Sequence, residues 1–432
     1  MHKEIECLVS YKSGKVQMRM PAHNVSVVQA WGWCFYVSSL LLILIALAFP
    51  RDSLGQSAGS RAEAELNLAS VYWNGVARNL VSSNSLDPVS ASRVYAFLSI
   101  AQNDTVAETE KTGRDESDQA PGEVEAIIRA AVASSSIAVL SEFFPLSTHH
   151  LREMYDHFVK SVDLTRASED TVKRGGALGQ AVAERTLRRA RDDGSDRNSE
   201  VVQPGGLGHW RSEQDRPPLR PNWGQVRPLL IESADRFVAK PPPAVDSPSF
   251  RSALAEVKTL ARQLDREQWK LVRFWADSVG TPTPTGHWNE IAAELIISHQ
   301  LAERSAARTL ALLNIALFDT GIACWKTKYT SWLARPSQID PEIRPNIMLP
   351  NFPSYPSGHA SFSGAAAEIL SYLFPEQTKN VRKLAVDAAL SRVYAGIHFP
   401  FDSDEGLHMG RRIGLRVIEL DQRRGELLPH LN

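Results

Sequence analysis

Apolar residues recur at helical spacing through most of this 432-residue chain, and no stretch alternates apolar and polar residues over the length of a strand. The pattern runs from residue 62 to about 162, as in VEAIIRAAVASSSIAVLSEFF at 124–144, and an acidic polar stretch at 108–119 interrupts it. It resumes after Phe250 and dominates to the C-terminus, with its clearest apolar faces at 290–317 and 364–373. The expected fold class is all-α, with helices packed as bundles. No internal repeat stands out, and the length allows either two or three compact units or one helical enzyme.

Residues 31–50, WGWCFYVSSLLLILIALAFP, carry no charge. Lys12, Lys15 and Arg19 precede them, and Arg51 and Asp52 follow. About twenty apolar residues suffice to span a bilayer. The denser core at 40–48, ending in the small-x-small triplet Ala46-Leu47-Ala48, equally suits a cleaved signal peptide. Signal and uncleaved anchor both export the body, secreted, periplasmic or membrane-attached; a buried core helix is the third reading. Over the full chain, 43% hydrophobic and 22% charged residues are ordinary for a soluble protein and too polar for a multi-span membrane protein. The net charge of -1 offers no broad attraction to nucleic acid, so any positive field must be local to a pocket. Of the cysteines, Cys7, Cys34 and Cys324, only the last belongs to the body, which excludes a disulfide framework there, and no Cys/His spacing points to zinc.

Residues 188–227 are rich in charge, Gly and Pro and read as a long surface excursion. Asp192, Asp193 and Asp196 within it do not fit a calcium loop, so a solvated face is expected. The chain thus divides into a signal or anchor segment at 1–50, an N-terminal helical region at 51–280 containing the excursion, and an oxyanion-binding catalytic bundle at 281–432.

Three short segments carry chemistry. In KYTSWLARP, Lys328 and Arg335 stand seven residues apart, two helical turns, and are expected to share one face of a helix that begins near Leu310. Two buried cations on one face are costly without a partner, so an anion between them is the natural reading. In the second segment, Ser357-Gly358-His359 lies where the loop NFPSYPSG gives way to HASFSGAAAEIL. Free N–H groups at such a helix start, with the serine hydroxyl and a close backbone approach at Gly358, make an anion site. His359, in the first turn, can exchange protons with a bound oxygen. In the third, Gly396 and Pro400 end the helix that bears Arg392 and leave His398 on a turn. Asp402, four residues on, can accept from one nitrogen of His398 and leave the other free to bond a metal or attack phosphorus.

Each element alone has a plainer reading: a solvated Lys and Arg, an ordinary helix start, a capping box of Asp402 with Glu405. Their conjunction in order marks an oxyanion site. It also resembles the superfamily that joins type 2 phosphatidic acid phosphatases, bacterial acid phosphatases and vanadium-dependent haloperoxidases. Matching is strong from 319 to 405 and weaker back to about 281. The resemblance implies that Lys328, Arg335, Ser357, Gly358 and Arg392 bind phosphate or vanadate oxygens. It makes His398 the covalent partner and metal ligand, His359 the acid/base, and Asp402 the group that orients His398.

The long helical region before the motifs and the segment TPTPTGHWNEIA at 281–292 are similar to the haloperoxidase branch, nearest the vanadium-dependent haloperoxidases. Trp325 matches an aromatic of the chloride-oxidising enzymes, and Phe352 lies where they too have Phe, which makes the two a halide pocket. The activity implied is oxidation of halide by hydrogen peroxide with vanadate as cofactor. The alternative is an acid phosphatase without a cofactor, which hydrolyses a phosphate ester through a phosphohistidine. Homodimers are common in that family, and no sequence feature demands one here. Outside the motifs, His149, His150 and His157 with Glu153 read as solvated or core rather than metal-binding, His287 and Trp288 pack near the pocket, Trp73 belongs to the core, and His408 is structural.

Overall fold

The structure, a computed structural model, describes residues 11–12, 15–16, 66–115, 121–160, 168–212 and 216–424. The segment at 31–50 lies outside them. The chain divides into two units, 1–51 and 52–432. In the first, Tyr11–Lys12 and Lys15–Val16 form a two-residue antiparallel pair. In the second, all regular structure among the described residues is helical apart from a single bridge between His209 and Leu333.

The N-terminal helices are α1 (Ala69–Ser83), α2 (Pro88–Asp115), α3 (Pro121–Phe143), α4 (Thr148–Lys160) and α5 (Glu169–Arg191). After a long connection come α6 (Pro248–Arg262), α7 (Arg266–Phe274), α8 (Thr283–Ser298), α9 (Glu303–Ser331), α10 (Gly358–Leu373), α11 (Thr378–Tyr394) and α12 (Pro400–Arg424). Helix α9 is the hub, packed against α1, α2, α8, α10 and α12. It is apolar and long enough to cross a membrane, but 94% of its most apolar window is buried within the protein, so its hydrophobic surface is spent on neighbouring helices. Buried amides tie its middle to the N-terminal half. Asn289 on α8 and Asn314 on α9 exchange side-chain hydrogen bonds of 2.7 Å each, Asn74 on α1 donates to Asn289 at 2.8 Å, and Asn314 donates to Ser99 on α2 at 2.9 Å. Trp73 is fully buried beside Asn74, as expected.

Two sequence expectations are corrected. Helix α9 begins at Glu303, not near Leu310, and ends at Ser331, because Trp332 turns left-handed with φ 50 and its N–H closes on the Lys328 carbonyl at 2.9 Å. Arg335 is therefore not on the helix that carries Lys328. Its backbone is extended (φ -71, ψ 155), the conformation that the ring of Pro336 imposes on the residue before it.

The stretch read as a surface excursion is likewise not only surface. Residues 188–191 finish α5, and the following chain buries Trp210, Trp223, Val226 and Ile231. Asp319 on α9 accepts the consecutive N–H groups of Leu229, Leu230 and Ile231 at 2.7, 2.8 and 2.9 Å, which straps this segment to the hub. Of the three aspartates assigned to a solvated face, Asp192 and Asp196 are exposed, but Asp193 is buried and paired with Arg93 at 2.6 Å.

Helices α10 and α12 approach closely because small residues meet. A Cβ on Gly410 would lie 1.9 Å from the Ser361 carbonyl oxygen, and one on Gly406 would lie 2.7 Å from that of Ser357. Only hydrogen fits at either point, and this contact fixes the start of α10 against the start of α12.

Candidate active site

The last turn of α9 supplies Trp325 and Lys328, three residues apart and both fully buried. Lys328 Nζ donates to three carbonyls of the following loop, those of Pro353 (2.9 Å), Ser354 (2.8 Å) and Pro356 (2.6 Å). An ammonium has three N–H bonds, so all are committed to backbone. Burial, reinforced by Arg335, pushes Lys328 below its ordinary value.

Arg335 reaches the same place from the extended segment before Pro336. Its Nη1 donates to the Ile397 carbonyl and to His398 Nε2, both at 2.9 Å, and its Nη2 donates to the Phe352 carbonyl at 3.0 Å. Trp325 and Phe352 pack with ring centroids 4.9 Å apart, and Lys328 Nζ lies 5.8 and 5.0 Å from the two rings. The expected halide-pocket pair thus stands beside the cations, with Leu219 of the strapped segment accepting from Trp325 Nε1 at 3.3 Å.

Ser357 caps α10, its hydroxyl accepting the Ala360 N–H at 3.4 Å, while its own N–H donates to the Asp402 carbonyl at 2.9 Å. A Cβ on Gly358 would lie 3.6 Å from Trp325, so the glycine leaves a gap against the aromatic wall. His359 is the most open of the set, with its side chain 17% exposed, and its Nε2 lies 3.0 Å from Arg392 Nη1.

Arg392 occupies the last turn of α11. Its Nη1 also donates to the Trp275 carbonyl, and its Nε and Nη2 are buried without a partner among the described residues. Burial lowers both Arg335 and Arg392 to about 10, leaving them cationic at neutral pH.

Gly396 (φ 72) and Pro400 place His398 on the expected turn. Its Nδ1 lies 2.9 Å from Asp402 Oδ2, which also accepts from the Ser354 hydroxyl at 2.5 Å and the Phe399 N–H at 3.1 Å. Burial first, then the three cations, push His398 well below its ordinary value, so it is a neutral imidazole. Burial raises Asp402 to about 6 against Ser354, Phe399 and the cations. A guanidinium can only donate, so Arg335 fixes the lone pair of His398 on Nε2 and Asp402 receives the proton on Nδ1.

The candidates singled out in the three sequence segments, Lys328, Arg335, Ser357, Gly358, His359, Arg392, His398 and Asp402, therefore lie together. Two contributors have no motif. Ser354 holds Asp402 from the loop, and Asp277, on the turn after α7, lies 3.6 Å from His359 Nε2 and bonds His287 Nδ1 at 3.1 Å. His287 was the one signal in the sequence that pointed toward this corner. The remaining candidates lie elsewhere: His149 and His150 are exposed beside Glu153, His157 is exposed on α4, and His408 is exposed on α12.

Lys328, Arg335 and Arg392 face two carboxylates, Asp402 buried and Asp277 nearly so, and two nitrogens of Arg392 lack a partner among the described residues. Excess buried positive charge with free donors is the chemistry of an oxyanion site, and phosphate and vanadate both fit it.

The sequence model of the PAP2 superfamily matches residues 308–426. The chain is 24% identical to the vanadium chloroperoxidase of Curvularia inaequalis over 227 residues, 41% of this chain and 37% of that protein. It is 32% identical to the vanadium-dependent bromoperoxidase of Ascophyllum nodosum over 98 residues, 16% of this chain and 18% of that protein. These matches therefore span well under half the length of either relative. Among solved structures, a bacterial vanadium-dependent iodoperoxidase shares the fold with a TM-score of 0.70 at 22% identity, over 81% of this chain and 95% of that one. A bacterial vanadium-dependent chloroperoxidase does so with a TM-score of 0.63 at 14% identity, over 78% and 93%.

Proposed function

We propose that this chain, a member of the PAP2 superfamily through residues 308–426, is a vanadate-dependent haloperoxidase-like enzyme that oxidises halide with hydrogen peroxide. The observation that carries the reading is the neutral His398, its Nε2 lone pair held among three buried cations and its other nitrogen tied to Asp402. His398 would ligate vanadate through Nε2 once Arg335 gives up that lone pair for a vanadate oxygen, and Arg335, Arg392, Ser357 and the backbone of Gly358 would hold the oxygens. Lys328, with its N–H bonds on the loop, contributes chiefly its field and the shape of the Pro353–Pro356 turn. Bound vanadate supplies a Lewis-acidic centre that activates peroxide without a change of metal oxidation state.

The protein's own part is to bind, orient and move a proton. His359, partly open and neutral because burial and Arg392 lower it to about 4, takes up the proton that peroxide gives up. Trp325 and Phe352 offer a polarisable wall beside Lys328 where a halide can approach. The hydrogen bond from Arg392 to the Trp275 backbone carbonyl supports the haloperoxidase branch, because the long region before the motifs then helps build the pocket. The same Nε2 lone pair, once Arg335 turns to the incoming anion, also suits attack on phosphorus. A protonated His359, a form that its value of about 4 confines to acid, would donate to the leaving oxygen, so phosphomonoester hydrolysis in acid is the second reading.

Vanadate-loaded protein should brominate a phenol dye when peroxide is present, and His398→Ala should abolish this. Hydrolysis of a chromogenic phosphate ester, inhibited by vanadate, would favour the second reading instead. Full bromination by the alanine variant would remove the proposed role of His398. Export by residues 31–50 belongs to the same proposal, and fractionation of cells expressing the full chain tests it.

A further inference from the structure

Behind His359 lies a second layer of polar groups with no part in holding an anion. Asp277 is nearly buried, with its side chain 9% exposed, and both its oxygens lie close to His287 Nδ1, at 3.1 and 3.2 Å. His287 is 2% exposed and stacks on Trp275 with ring centroids 4.3 Å apart, while Phe274 meets it edge-on at 4.7 Å. Its Nε2 has no partner among the described residues, so Asp277 is its polar contact. An imidazole clamped between aromatic rings with one polar partner holds that partner in a fixed direction.

The direction matters because His359 Nε2 sits between two groups of opposite character. Arg392 Nη1, at 3.0 Å, can only donate and requires a lone pair on Nε2. The carboxylate of Asp277, at 3.6 Å, can only accept and is close enough to draw a proton on Nε2 with a small shift of the ring. We propose that His287 is a positioning residue which, through Asp277, lets His359 present Nδ1 either as a base or as a hydrogen-bond donor. With Nε2–H directed at Asp277, Nδ1 carries a lone pair and takes a proton. With Nε2 accepting from Arg392, Nδ1 carries the proton and can only donate a hydrogen bond. Without the fixed carboxylate only the second form remains. The catalytic consequence rests on the role assigned to His359 above; the tautomer itself does not.

Two substitutions separate positioning from packing. His287→Phe keeps an aromatic ring against Trp275 and removes the donor to Asp277, whereas His287→Asn gives up the ring and keeps a donor near the place of Nδ1. In the full-length chain labelled with 15N-histidine at neutral pH, and with His359 assigned by its loss in His359→Asn, the wild-type ring should show 15N shifts intermediate between the two tautomers. The phenylalanine variant should show the Nδ1–H form alone, and the asparagine variant should return toward wild type. Whichever activity the wild type has should fall about tenfold in kcat in the phenylalanine variant, with little change in KM, and recover in the asparagine variant. Asp277→Ala should reproduce the tautomer change and serves if the phenylalanine variant does not fold. A wild-type His359 wholly in the Nδ1–H form, or the opposite ranking of the two variants, would overturn the proposal. Absence of both activities in the wild type would end the functional reading and leave the tautomer result to stand or fall by itself.

Discussion

Nε and Nη2 of Arg392 are buried with no partner among the described residues, while Nη1 donates to the Trp275 carbonyl and meets His359. A buried donor left unpaired costs about 1–3 kcal/mol, so an oxyanion that accepts from these nitrogens recovers free energy that the protein alone forgoes. Arg392→Ala should weaken inorganic phosphate or orthovanadate binding by about 2–3 kcal/mol, roughly 30- to 150-fold in Kd, measured by titration calorimetry. Unchanged affinity would show that the guanidinium does not face the anion.

Asp277 and His287 make a pH-dependent pair. Burial by itself would raise Asp277, but the His287 charge and the contacts from His287 and His359 hold it below the usual carboxylate range. Burial would lower His287, and Asp277 outweighs it and holds it above 6.5. The aspartate's contribution is present above its unfolded value of 3.8 and is lost as pH falls through its lower folded value. The histidine's is complete below 6.5 and is lost as pH rises through its higher folded value. Asp277→Asn should therefore depress the melting temperature most between pH 3.8 and 6.5, and less in strong acid and in alkali. A depression that is the same at every pH would assign the residue to packing.

At this scale the sequence disclosed the signature residues, because cations, imidazoles and a helix-start serine in fixed order have few other uses. Ser354 and Asp277 stayed hidden. A lone serine or aspartate has no period or spacing to mark it, and both act through partners that only the fold brings near.

Among the elements, the helical spacing of apolar residues announced the helices, but not how they end. Lys328 and Arg335 looked like neighbours on one helix face, yet Pro336 stands directly after Arg335, and a proline disfavours helical backbone in the residue before it. The signal for the break was present and outweighed by the regular spacing. Gly406, Gly410 and Gly414 recur every four residues and mark a close contact, although nothing in the sequence says that α10 is the helix it meets. Gly410→Ala should force the two helices apart and cost about 1–3 kcal/mol, seen as a lower urea midpoint with an unchanged m-value. An unshifted midpoint would mean that α12 moves freely against α10.

Over the whole molecule, the charge-, Gly- and Pro-rich composition of 188–227 suggested a surface excursion, and it could not show that residues 188–191 still belong to α5 or that the chain beyond them lies against the hub helix. The attachment is Asp319, raised to about 6 by burial in spite of three backbone donors. Asp319→Ala should leave those donors unmet, at about 1–3 kcal/mol for each that stays buried. Limited proteolysis should then cut within 192–247 while helical circular dichroism persists. Resistance equal to wild type would show that the buried tryptophans hold the segment without the carboxylate.

Trp275 and Asp277 both precede residue 308, where the shared superfamily stretch begins. Under the function proposed above, every signature position from Lys328 to Asp402 stays intact while a change at Asp277, or a displaced backbone at Trp275, removes the activity. The stretch that resembles the superfamily is thus only part of what the pocket is built from.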